Sequence, residues 1–101
     1  MTLPIRYTTE NGLLTITVKG VFDFHLVGPF REAYTEIAPS VKRIMLNFQS
    51  VEQIDSSGLG MLLNLRKTFA RTPIEIEIAN CREEVREVLL KAQFDKLFSV
   101  S

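Results

Sequence analysis

The sequence predicts a single-domain α/β protein, a mixed β-sheet of four to five strands with helices packed against it. Three observations carry this prediction. A chain of 101 residues suits one domain with one core. Two strand-like segments at the start are joined by Asn11-Gly12, and Asn-Gly is the strongest short hairpin signal. After the hairpin, helical and strand periodicities alternate to the end of the chain, which implies strands joined by helical crossovers. The sequence contains no repeats, low-complexity segments or linkers, so residues 1–101 read as one domain.

The hairpin arms are residues 5–9 and 13–19. In the second arm Leu14, Ile16 and Val18 alternate with Thr15, Thr17 and Lys19, the pattern of a strand with one buried face. Gly20 is expected to end that strand, and residues 21–24 to lead into a helix with Pro29 near its start. Phe30, Ala33, Tyr34 and Ile37 follow helical spacing, and Pro39-Ser40 closes the helix. Residues 41–48 contain Ile44-Met45-Leu46, apolar enough for a central strand buried on both faces. Residues 49–55 are expected to form a connection. From Ser57 to about Arg71 the pattern is helical, with Gly58, Met61, Leu62, Leu65 and Phe69 along one side. Pro73 stops this helix and introduces a half-buried strand with Ile74, Ile76 and Ile78 alternating with Glu75 and Glu77. Asn80 followed by Glu83 is an imperfect capping-box signal for a third helix carrying Val85, Val88, Leu89 and Ala92. Residues 97–100 are expected to add a last short strand.

Composition narrows the function classes. Twelve basic residues balance twelve acidic ones, so no basic surplus is present for a polyphosphate backbone, and nucleic acid is not expected as a partner. The single cysteine, Cys81, excludes an internal disulfide and any multi-cysteine metal site, and suits a reducing compartment. The N-terminal residues 1–6 lack the charged and apolar regions of a signal peptide. No window approaches the ~18 apolar residues that span a bilayer. A cytoplasmic protein without direct membrane insertion is expected, with no metal and no cofactor.

Enzymatic patterns fail. His25 is the only histidine, and a solvent-facing or capping role suits it better than general-base work. One His and one Cys do not make a zinc site. The Gly-x-Ser-x-Gly elbow of serine hydrolases is absent around Ser56, and Gly58-Leu59-Gly60-Met61 lacks the lysine of a Walker loop. Cys81 reads as a small apolar residue rather than a redox centre.

The most informative stretch is Asp55-Ser56-Ser57-Gly58-Leu59-Gly60, where a strand pattern gives way to a helical one. It fits a helix cap, a phosphate site, or a hydroxyl that another protein modifies. Each glycine inside a helical turn costs about 1 kcal/mol relative to alanine, which points to a close approach by a backbone or ligand. Gly20-Val21-Phe22-Asp23 places a second carboxylate at a strand end. If the two strands are neighbours, Asp23 lies beside Asp55 and Ser56 at one sheet edge. Capping remains a sufficient account of both aspartates at this point.

Through these residues the chain resembles the STAS-domain family of bacterial anti-sigma factor antagonists. The Asp-Ser-Ser-Gly-Leu-Gly run at 55–60, followed by Met61-Leu62-Leu63, the Gly-x-x-Asp at 20–23, the apolar strand at 44–48 and Phe94-Asp95-Lys96-Leu97-Phe98 fall in the family's order. The resemblance implies the STAS fold, without the extra C-terminal helix common in the family. It implies that Ser56 is phosphorylated by an anti-sigma factor with an ATP-binding kinase fold. The unmodified protein then binds that factor and frees the sigma factor, and a PP2C-type phosphatase restores the serine. Ser57 becomes a neighbour or helix cap, and Asp23, Asp55 and Gly58 neighbours of the acceptor. The expected partner surface comprises Asp23, Asp55, Ser56, Ser57, Leu59, Leu63 and Arg66, with the two leucines exposed, although ordinary packing also accounts for them. The protein is then a substrate and ligand, not an enzyme. Two other roles fit the resemblance: a structural STAS subunit of a lipid-transporting ABC complex, and a regulator of a non-sigma effector such as a biofilm or diguanylate cyclase protein.

Overall fold

The structure, a computed structural model, describes residues 3–101; Met1 and Thr2, which open the N-terminal stretch read above, lie outside them. The hairpin forms as expected from strands β1 (Ile5–Glu10) and β2 (Leu13–Phe22), with Asn11 and Gly12 both at positive φ as a tight primed turn requires. A 3₁₀ turn (Phe24–Leu26) and helix α1 (Val27–Thr35) lead to β3 (Arg43–Ile54). Helix α2 (Ser56–Thr68), β4 (Glu75–Ala79) and α3 (Glu83–Lys91) follow. A second 3₁₀ turn (Phe94–Lys96) precedes the two-residue strand β5 (Ser99–Val100).

The five strands form one sheet in the order β1-β2-β3-β4-β5, with β1 antiparallel to β2 and the later pairs parallel. Each crossover advances one strand in the same direction. Right-handed connections therefore set all three helices on one face. The burial pattern agrees. Leu14, Ile16 and Val18 of β2, Ile44, Leu46 and Phe48 of β3, and Ile78 of β4 are buried, whereas Thr15, Thr17, Met45 and Asn47 are only half-buried. The central strand is thus covered on one face, not on both as its apolar run suggested. Met45 faces the side of the sheet that carries no helix.

Two strands run past their expected ends. Gly20 does not terminate β2. It sits at φ +87° inside the strand, where the β2–β3 register slips twice, between Thr17 and Lys19 and between Gly20 and Val21. The slips let β2 and β3 stay paired as far as Phe22 and Ile54. Residues 49–54, expected as a connection, are therefore strand. From Phe48 on, the buried positions of β3, Phe48, Val51 and Ile54, are three apart, and such bulged spacing erases the period-two signal.

Helix boundaries also differ in detail. Helix α1 ends at Thr35, with Ile37 beyond it yet still packed against the core. The last turn of α2 closes at Thr68, with Phe69 as its C-cap. No capping box opens α3. Its N-cap is Arg82, without a side-chain bond, and Asn80 is left-handed (φ +62°) with Nδ2 donating 3.1 Å to Asn47 Oδ1. Ala92 lies just past α3 and is exposed.

The core is organised around Phe22 at the end of β2. Its ring meets Phe30 of α1 edge-on at 5.0 Å and Phe48 of β3 at 5.5 Å. Phe30 continues to Tyr34, and Tyr34 to Phe69 after α2. Helix α2 seats on the same residue through Gly58. A Cβ at position 58 would lie 2.2 Å from the Phe22 carbonyl oxygen and 2.8 Å from Ile54 Cγ1. A Cβ at Gly60 would meet nothing within 4 Å. The two glycines of the motif therefore have different physical roles. Gly58→Ala is expected to destabilise the fold by about 2 kcal/mol or more, because the obstruction is backbone. Gly60→Ala is expected to stabilise it by about 0.5–1 kcal/mol through helix propensity. Urea denaturation of the two variants checks the contrast.

Candidate functional site

Phe22 and Ile54 are register partners, so β2 and β3 leave the sheet side by side and Asp23 and Asp55 are the next residues of each. Both aspartates have extended backbones and cap the helical turns that follow. Asp23 Oδ1 accepts from the His25 backbone N–H at 3.0 Å and is also in contact with His25 Nδ1. Asp55 Oδ1 accepts from the Gly58 N–H at 3.0 Å and from Ser57 Oγ at 2.6 Å. The first α-helical bond runs from Leu59 N–H to the Asp55 carbonyl.

This network separates the two serines. Ser57, half-buried, spends its hydroxyl on the Asp55 carboxylate. It is therefore a neighbour of the cap and not the cap itself, which is Asp55. Ser56 is the first residue of α2, exposed, and takes no part in that network. Both carboxyls are held below the usual carboxylate range. For Asp23 the main cause is the hydrogen bond with the His25 side chain, then that from the His25 backbone, and the neighbouring charge of Asp55 acts in the opposite sense. For Asp55 the main cause is the Ser57 hydroxyl, followed by the Gly58 N–H. The corner thus carries two ionised carboxylates near enough to sense one another, with the exposed Ser56 directly after the second.

The expected partner residues fall into two groups. Asp23, Asp55, Ser56 and Ser57 converge. Leu63, one turn beyond the motif, is exposed (44%). Leu59 is not an exposed leucine; it is half-buried and packs against the core, because it is nearer the sheet side of α2. Arg66 is exposed, but its Nε donates at 3.4 Å to the Leu97 carbonyl, which ties α2 to the C-terminal segment. The sequence reading missed Phe24, which is 66% exposed. Phe24 and Leu63 flank a shallow groove floored by Gly60 and Met61 and reached by Ser57 and Lys67. The available signal was an aromatic residue directly after a capping aspartate, outside any apolar periodicity. His25 is exposed beside Asp23, as a capping-turn residue would be. Cys81 is half-buried and burial raises its thiol pKa. Among the described residues no group of three His, Cys, Asp or Glu could hold a metal ion, and no helix is long and apolar enough to cross a membrane.

Comparison with known proteins places this corner in context. The STAS domain family profile matches residues 4–101. A STAS-domain containing protein of Pseudomonas aeruginosa is 40% identical over 88 residues, covering 87% of each chain. Among solved structures, a candidate anti-sigma factor antagonist from Thermotoga maritima superposes with a TM-score of 0.83 at 19% identity, over 95% of this chain and 84% of that one. A sulfate transporter family protein from Wolinella succinogenes superposes with a TM-score of 0.77 at 16% identity, over 88% and 73%.

The capping role of Asp55 has a pH signature. Its folded pKa is lowered, so its stabilising effect is complete above the unfolded value of about 3.9 and is lost as pH falls through the lower folded value. Asp55→Ala is expected to lower the melting temperature at neutral pH, with the gap to wild type narrowing below about pH 4. Thermal melts by circular dichroism across that range check it.

Proposed function

The chain belongs to the STAS domain family, and on that premise we propose that residues 1–101 act as a single STAS domain in a phosphorylation-controlled partner switch, as an anti-sigma factor antagonist in the cytoplasm. The observation that carries the reading is the division between the serines. Ser57 is held by Asp55, whereas Ser56 stands exposed at the head of α2 with its hydroxyl outside the cap.

Unmodified, the corner offers the neutral Ser56 hydroxyl one residue before Ser57, which reaches the Phe24–Leu63 groove, and this suits a partner that covers apolar and polar surface together. That partner is a serine-kinase anti-sigma factor with an ATP-binding kinase fold. In the modification the Ser56 oxygen bonds to the γ-phosphorus of ATP, the bond to ADP breaks, and the hydroxyl proton passes to a base of the kinase. The kinase supplies ATP, Mg²⁺ and that base. This protein contributes only the acceptor and its setting, which is the role of a substrate and not of an enzyme.

The phosphate adds about −1.5 to −2 charges at pH 7. Asp23 and Asp55 already make the corner negative, so a complex fitted to the hydroxyl must bury that charge against two carboxylates. A loss of only ~3 kcal/mol weakens binding more than 100-fold. The helix itself tolerates the group, because the N–H donors of the first turn and the helix dipole favour an anion there. Release therefore needs no unfolding, and a PP2C-type phosphatase resets the switch by hydrolysing the ester. The likeness to a sulfate transporter family protein supports a second reading, in which the domain is a structural module of a transport complex and Ser56 stays unmodified.

Co-expression with a candidate kinase separates these readings. Ser56→Ala is expected to abolish phosphate uptake while Ser57→Ala retains it, measured by intact-mass spectrometry. Ser56→Asp and Leu63→Glu are each expected to weaken partner binding at least about tenfold by titration calorimetry. Wild-type phosphate uptake by Ser56→Ala would overturn the assignment.

A further inference from the structure

The two edges of the sheet differ. Strand β5 is two residues long, whereas β1 presents six residues, Ile5–Glu10, with no strand on its outer side among the described residues. Lys19 N–H donates to the Pro4 carbonyl at 2.8 Å, and in an antiparallel ladder the bonded pairs alternate. Residues 6, 8 and 10 therefore turn their backbone groups toward β2. Residues 5, 7 and 9 turn theirs outward. All residues from Arg6 to Glu10 are exposed, Tyr7 by 53%.

We infer that β1 is the docking edge for a second copy of this chain, which pairs antiparallel across a two-fold axis at Thr8 and joins two sheets into one of ten strands. The charges select that register. With Thr8 opposite Thr8 of the second copy, Arg6 of each chain faces Glu10 of the other. These are non-hydrogen-bonded positions, where side chains approach closest. Tyr7 and Thr9 then exchange their outward N–H and C=O groups across the axis. A register centred on Arg6 would oppose two arginines, and one centred on Glu10 two glutamates. Edge strands that avoid pairing carry repelling charge, proline or very short length. β1 contains no proline and is six residues long, and its two charges, Arg6 and Glu10, are of opposite sign and self-complementary in this register. The chain is neutral overall, so no net repulsion keeps two copies apart. Tyr7 lies in an open groove beside Gly28, Arg31 and Thr35 of α1, which leaves room above the axis.

This inference is independent of the partner switch, since Ser56 lies beyond the part of β2 that β1 covers. Sedimentation velocity over a concentration series tests it. Wild type is expected to pass from monomer to dimer. Arg6→Glu and Glu10→Arg are each expected to raise the dimer dissociation constant at least about tenfold, since both replace two attractions with two repulsions. An equimolar mixture of these two variants is expected to dimerise, because the two acidic side chains of one variant then face the two basic side chains of the other. Thr9→Pro removes an outward donor only, and is expected to give a folded monomer by circular dichroism. A wild type that stays monomeric overturns the inference. So do single reversals that dimerise like wild type, and a mixture that stays monomeric.

Discussion

Helix α2 reaches the end of the sheet because residue 58 has no side chain. Its α-carbon lies so close to the Phe22 carbonyl that a single methyl group would stand 2.2 Å from the oxygen. Phe22 in turn is the ring on which α1 and β3 pack. The contact therefore joins the helix bearing the serines to the part of the core shared by three other elements. It also fixes the geometry of the corner. With α2 pressed onto β2 and β3, Asp55 is the residue at which the chain turns from strand to helix, and Asp23 emerges beside it from the neighbouring strand.

The bulges upstream are part of the same constraint. Without the slips at Thr17–Lys19 and Gly20–Val21, the paired strands would not carry Phe22 and Ile54 to a common exit in this register. Gly20 supplies the left-handed backbone that a side chain would make costly. Once both strands exit together, helix capping and site electrostatics become one arrangement. The carboxylates that satisfy the first N–H groups are also the charges of the corner that Ser56 follows. As caps, both carboxylates are tied to backbone N–H groups by hydrogen bonds. Under the proposed switch, carboxylates tied down in this way leave an added phosphate charge to act as repulsion.

The sequence exposed those parts of this design that are local. The Asn11-Gly12 turn, the helical stripes of α1, α2 and α3, and the Asp-Ser-Ser-Gly corner all depend on residues within a few positions of one another, and the structure contains them. What escaped depends on contacts between distant residues. Residues 49–54 read as a loop because bulged pairing spaces Phe48, Val51 and Ile54 by three. Asn80 mimicked a cap, yet its amide is engaged by Asn47, thirty-three positions away. Leu59 was misjudged for a similar reason: which apolar side chain of α2 faces water depends on how the helix rolls on the sheet, and the close approach at Gly58 sets that roll. Gly58 and Gly60 looked alike in the sequence, and only packing distinguishes them.

The topology also decides which surfaces remain for other molecules. In parallel sheets, sites gather beyond the carboxyl ends of the strands, and the Ser56 corner lies there, past Phe22 and Ile54. β1 pairs only with residues 13–18 of β2 and stops short of that end. An edge contact through β1 and a partner at the corner thus occupy different boundaries of the same sheet. If β1 joins two copies as inferred above, the two Ser56 corners are held at a fixed separation, and a bivalent ligand that spans them gains avidity without any new contact at either serine.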